Sequence, residues 1–169
     1  MTETLLGPAL VEEATKKSGL IWVRGEAPAP RALWHVWHDG AAHVVGDGPG
    51  EQPLPGLVAG STAEVTVRSK DKGGRIVAWT AAVSELAPGT EEWDAAVAEL
   101  KGKRLNAHDG EAMPERWARE CRVLKLAPLD STTDLPDGSL AAAPLPTEAI
   151  TRRPVPAGLP RLLFKRRKR

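Results

Sequence analysis

The densest chemistry in this chain lies between Arg68 and Arg75. Arg68, Ser69, Lys70, Lys72, Gly73, Gly74 and Arg75 put four cations, a hydroxyl and two side-chain-free backbone positions into eight residues. Guanidinium and ammonium groups donate charge-assisted hydrogen bonds to phosphate oxygens, and successive unobstructed N–H groups form an anion-holding concavity. The same charges also suit a solvated turn, and spacing alone leaves both readings open. Other chemistries have less behind them. His38 and His43 fall diagonally across a hairpin and can in principle share a metal, but no third ligand is spaced to complete the site. Cys121 is the single cysteine, with no CxxC or activating pattern beside it. No Ser/His/Asp, Cys/His or paired-carboxylate arrangement nominates a hydrolase.

The residues from Thr62 to Leu86 carry that cluster as one long β-hairpin. Thr62 to Ser69 alternates apolar and polar residues, with Ala63, Val65 and Val67 on one face and Glu64, Thr66 and Arg68 on the other. Lys70 to Gly74 supplies the reversal. Arg75 to Leu86 returns as a strand rich in β-branched residues and small alanines, which leave room for something to lie close to the backbone.

In chain order, Pro8 to Lys17 reads as a short helix with Pro8 in its first turn and Gly19 able to end it. Leu20 to Arg24 is a short strand, apolar enough to be buried. Arg31 to His38 and Ala41 to Gly46 flank Asp39-Gly40, a two-residue hairpin signal. That register puts Trp34, Val36, His38, Ala41, His43 and Val45 on one face, and Leu33, His35, Trp37, Ala42 and Val44 on the other. Both faces are largely apolar, so the sheet is expected to close into a small barrel whose outside is also covered, by a helix or another subunit.

The loop from Gly46 to Leu57 contains neither GxGxxG nor GxxxxGK[ST], and its prolines at 49, 53 and 55 make it rigid, a plausible pocket wall. Thr90 caps a helix whose Trp93, Ala96, Val97 and Leu100 form one stripe, and Lys103-Arg104 at its exit adds a second basic cluster or simply complements the helix dipole. Pro114 to Arg119 is a further helical turn, and Cys121 to Leu126 the last strand.

The 169 residues, 41% of them apolar, suit one domain with a real core. The absence of an apolar run of eighteen or of a secretion signal at the start predicts a cytoplasmic protein. The net charge of +1 conceals an asymmetry: residues 128–169 hold eight of the 23 basic side chains and four of the 22 acidic ones, so they carry +4 and the rest −3. The body is therefore not a nucleic-acid binder by charge. With seven prolines in the 42 residues from Pro128 onward, the tail after Leu129 is expected to be disordered. Its end, Leu162-Leu163-Phe164 followed by five cations, can make weak contact with nucleic acid or an anionic surface.

Trp34-His35-Val36-Trp37-His38-Asp39-Gly40, Val65 to Lys70, Gly73-Gly74-Arg75, and Glu92-Trp93 through to Asn106 resemble the pyridoxamine 5'-phosphate oxidase-like family of FMN- and deazaflavin-binding split β-barrels, particularly its small actinobacterial members. The resemblance implies a mainly β fold: a six-stranded split barrel over residues 1–129, with residues 130–169 as a tail. It also implies a homodimer acting on a small-molecule substrate, with FMN or deazaflavin between the subunits. Arg68, Ser69, Lys70 and Arg75 match the phosphate-holding positions, and Trp37, Trp79 and Thr80 match the ring pocket by position. The family's serine, arginine and lysine pattern after the second hairpin is replaced here by the proline-rich loop. The reading implied is a flavin- or deazaflavin-dependent oxidoreductase. Its alternative is a non-catalytic split barrel that binds haem or another ligand, or serves as an adaptor.

Overall fold

The computed structural model describes residues 3–68 and 75–129. The elements are α1 (Glu3–Lys17), β1 (Leu20–Arg24), β2 (Arg31–Trp34), β3 (Val36–His38), β4 (Ala41–Gly46), β5 (Thr62–Arg68), β6 (Arg75–Glu85), α2 (Glu91–Lys103), a 3-10 turn (Gly110–Ala112), α3 (Met113–Glu120) and β7 (Arg122–Pro128). The strands form one sheet in the order β2-β1-β5-β6-β7-β4-β3, antiparallel throughout.

The two outermost strands of that order, β2 and β3, are consecutive in the chain and separated only by His35. The ladder therefore comes nearly full circle, giving the mainly β barrel expected. The strand count is seven rather than six because Arg31 to His38 does not run as one strand. Its first half pairs with β1 and its second with β4, and changing partners breaks it at His35. The buried His35 imidazole lies with Nε2 2.7 Å from the Thr15 carbonyl, so that nitrogen carries the proton and donates, pinning α1 to the break.

The two faces of β3 and β4 divide as the turn register predicts. Val36 pairs with His43, Trp37 with Ala42 and His38 with Ala41. Leu33, Ala42 and Val44 join Ile21, Val65, Trp79 and Leu126 in the barrel interior. Val36 and Val45 pack outward, with Trp93, Val97 and Leu100 of α2 and Trp117 of α3. The helices are thus what covers the barrel's second apolar face. Burying both faces removes roughly 25 cal/mol of free energy per Å² of apolar surface withdrawn from water. The cap at Thr90 is as expected, its Oγ1 accepting from the Trp93 N–H at 3.2 Å.

Two local expectations change. Pro8 lies inside α1, not at its start, where it removes one i→i−4 hydrogen bond and its ring crowds the carbonyl four residues earlier, locally weakening the helix. Strand β1 is not buried throughout. Ile21 and Val23 face the core, but Leu20 is 52% exposed, Trp22 is half-buried and Arg24 is exposed.

The proline-rich loop is held by a buried carboxylate. The Glu51 side chain is 1% exposed and accepts from Arg104 Nε at 3.2 Å, Arg116 Nη2 at 3.1 Å and Trp117 Nε1 at 3.2 Å. The Gln52 amide joins Trp34 and Val45 through three hydrogen bonds, and Leu54 and Leu57 enter the core. A Cβ on Gly46 would stand 2.1 Å from the Gln52 carbonyl oxygen, so only glycine allows this approach. The loop is a plug over the barrel, tied to α2 and α3. No described helix is long and apolar enough to cross a membrane.

Candidate functional site

The cationic end of the β5–β6 hairpin starts from its backbone register. Arg68 stands opposite Arg75, just past a bulge between Val67 and Arg68. Like charges directly opposite across a ladder are destabilising, and bulges re-aim side chains at the ends of pairing. Arg68 is half-buried, its guanidinium carbon 4.4 Å from the centroid of the Trp22 ring. Trp22 pairs with Thr66 on the neighbouring strand, two residues before Arg68 and on the same outward face. A guanidinium stacked on an indole is held in place and partly desolvated, while its edge N–H groups stay available to an acceptor. On the same face, Arg24 and Glu64 pair at 2.5 Å.

Ser69 and Lys70 lie outside the described residues, and Arg75 is placed here by its backbone alone. Of the three expected ring-pocket residues, Trp37 and Trp79 come together and Thr80 lies on the other face of the sheet. Trp79, 1% exposed, points into the barrel, with Trp37 edge-on at 6.2 Å and 83° between the planes. The Trp79 Nε1 has no protein partner. Thr80, next along β6, faces the other way, opposite Glu64, and its carbonyl accepts from the Leu129 N–H at 3.0 Å. Trp37 also lines a cleft of about 250 Å³ between α1 and the β3–β4 turn, with Val11, Gly40 and Leu129 among its walls. Arg68 and Thr80 share the outward face, but with Glu64 and Arg68 four residues apart on β5 they lie roughly 13 Å apart along the strand.

Trp22 is the residue that sequence reasoning passed over. The signal was present, because period-two alternation puts Trp22 and Arg24 on the face away from Ile21 and Val23. The strand's apolar composition hid it. Arg104, read as part of a basic cluster, is engaged by Glu51 and has a structural place.

The histidines have a different setting. His38 and His43 lie with ring centroids 6.0 Å apart on the wall of a cleft of about 430 Å³ that also touches Asp39, Glu91, Glu92 and Ala95. His43 is 1% exposed and its Nδ1 has no protein partner. Burial, then the nearby His38 and Lys125, push its pKa down to about 4, so the ring is neutral at pH 7. Among the described residues no group of three or more His, Cys, Asp or Glu is placed to hold a metal ion. Burial also raises the Cys121 thiol pKa, the opposite of what a reactive thiolate needs.

No protein-family model matches the chain, nor does any curated protein. Among solved structures it is similar to the haem storage protein HutZ of Vibrio cholerae, at 12% identity over 74% of this chain and 91% of that one, with a TM-score of 0.51. It is also similar to a protein of Bacteroides thetaiotaomicron assigned to 5-nitroimidazole antibiotic resistance, at 12% identity over 73% and 80%, with a TM-score of 0.50. An FAD- and haem-binding protein of Mycobacterium smegmatis aligns over 89% and 92% at 15% identity, with a TM-score of 0.47, too low to argue from. At these identities the likeness is one of fold, and any ligand has to be argued from this chain's own residues.

Proposed function

We propose that the chain binds a flavin or deazaflavin by its phosphate at the cationic end of the β5–β6 hairpin, and that it works as a homodimeric oxidoreductase on a small-molecule substrate. The observation that carries this reading is Arg68 opposite Arg75, with the Arg68 guanidinium seated on Trp22. Cationic residues at opposite ladder positions are a place where an anion would offset repulsion, and the indole holds the Arg68 guanidinium ready for one. On this reading Arg68 and Arg75 would supply charge, Ser69 and Lys70 would add donors by their residue types, and Trp22 would fix the angle of the Arg68 fork. Further along β6 the half-buried outward side chains Thr80 and Ala82 are small, which suits a flat ring lying against the sheet there. When bound, the flavin or deazaflavin supplies hydride transfer, and the protein supplies binding, orientation and exclusion of water. No acid–base residue is needed for that division of labour.

The fold by itself also accommodates a protein that stores haem, and fold does not decide function. The deciding experiment compares wild type with Arg68→Ala combined with Lys70→Ala by titration with flavin mononucleotide and a deazaflavin. Losing two charge-assisted contacts should weaken binding about a hundredfold while the melting temperature of the apo protein stays nearly unchanged. Equal affinity in the double variant would refute the site. A haem absorbance band in the purified protein, with no response to either flavin, would favour the non-catalytic reading.

A further inference from the structure

We propose that the outward face of β2, β1 and β5 docks a second copy of this chain, about a two-fold axis that runs across the strands over Trp22 and Thr66. The inference rests on the homodimer of the reading above and names its surface. The described helices pack chiefly on β3, β4, β6 and β7, which leaves this part of the barrel wall without a covering helix. Its middle is apolar: Leu20 is 52% exposed, Ala32 is exposed, and Trp22 and Thr66 are half-buried. Trp22 pairs with Ala32 on one side and Thr66 on the other, so the three form a row across the strands.

The charges beside that row make the face complementary to itself. Glu64 and Arg68 stand two residues to either side of Thr66 and share its outward face, each about 7 Å from it along the strand. A two-fold axis along the row lays β5 antiparallel over its own copy, so Glu64 comes over Arg68 of the partner subunit, and the contact occurs twice. An axis along the strands would instead set like charges against each other. Facing sheets stand about 10 Å apart, a gap that a glutamate and an arginine side chain span together. Glu64 already pairs with Arg24 of its own copy, so it comes to lie between two guanidiniums. Arg68, with five donors in a fork, keeps an edge for the phosphate. The Trp22–Arg68 stack then lies at the centre of the contact, where aromatic and arginine side chains carry most binding energy. Thr80 and Ala82 on β6 fall at its margin, so a ring held there is enclosed between the copies.

The test is sedimentation velocity on the full chain without flavin. The wild type is expected to be a dimer at micromolar concentration. Glu64→Arg sets cation against cation in both contacts, and Arg68→Glu sets carboxylate against carboxylate, so the dissociation constant of each variant alone should rise about tenfold or more. An equimolar mixture of the two variants should recover dimers, because every contact in the mixed pair is again between opposite charges. A variant that had only failed to fold could not be rescued in this way. The proposal is overturned by a monomeric wild type, by either variant dimerising as the wild type does, or by a mixture no more dimeric than its components. The two readings fail separately: a rescued dimer that ignores flavin mononucleotide refutes the cofactor and leaves the interface standing, whereas a Glu64→Arg dimer that still binds it does the reverse.

Discussion

Replacing Glu51 by alanine should destabilise the protein by about 3 kcal/mol without touching the proposed phosphate site. The Glu51 carboxylate is 1% exposed and receives Arg104, Arg116 and the Trp117 indole N–H. Removing one member of a buried ion pair costs about 3–5 kcal/mol, because the charges left behind are desolvated and unpaired. The lower end applies, since Arg116 keeps Asp109 at 2.5 Å and Arg104 is one-quarter exposed. For a domain of this size that is a fall of about 10–15 °C in melting temperature. Glu51→Gln should lose roughly half as much, because its amide oxygen still accepts from Trp117 but carries no charge for two guanidiniums. Differential scanning calorimetry of both variants measures this. A loss below about 1 kcal/mol for Glu51→Ala would mean that the loop is not held by this carboxylate, and would return Arg104 to the list of free cations. None of the network's members lies on β5 or β6, so flavin affinity should be unchanged in either variant.

Trp22→Ala should lower flavin affinity about threefold to fivefold, the loss of a partly exposed cation–π contact of about 0.5–1 kcal/mol, and Trp22→Phe should recover part of it; fluorescence titration reads both. Stability should fall between pH 6.5 and 5. His35 and His43 have native pKa values pushed down to about 4 by burial, so the unfolded chain binds more protons over that window, and stability is full above 6.5 and lost as the pH drops. The lowered carboxylates Glu92 and Asp109 stay ionised there, which isolates the histidines; a melting temperature flat from pH 7 to 5 would contradict the burial of both rings. Gly46→Ala should destabilise by about 1–3 kcal/mol, measured by urea denaturation, since its Cβ would collide with the Gln52 backbone. Deletion after Leu129 should leave both the melting temperature and the number of subunits per particle unchanged by calorimetry and light scattering.

Much of the barrel was legible because its signals are local. Asp39-Gly40 fixes the hairpin register, and that register alone assigns Leu33, Ala42 and Val44 to the interior and Val36 and Val45 to the helix-covered face. The Thr90 cap and the stripe on α2 are equally local. What was not legible depends on distant partners. The break at His35 arises because β2 and β3 pair with different strands. The Glu51 network joins residues 53 and 65 positions apart, so nothing near Arg104 announces that it serves a loop. Trp22 was hidden by an apolar strand whose alternation pointed outward. Trp79 and Thr80, adjacent in sequence, could not share a pocket on one side of a sheet, because successive side chains point to opposite faces. The expectations for Ser69, Lys70 and the segment 130–169 lie outside the described residues.

The most direct test of the central claim is the visible absorbance of the purified protein, followed by titration with flavin mononucleotide and then a deazaflavin while the fluorescence of its six tryptophans is recorded. The account predicts a yellow protein, or saturable quenching by one of the two cofactors whose midpoint shifts about tenfold to higher concentration in Arg68→Ala. A colourless protein whose fluorescence ignores both, or quenching that is identical in Arg68→Ala, would contradict it.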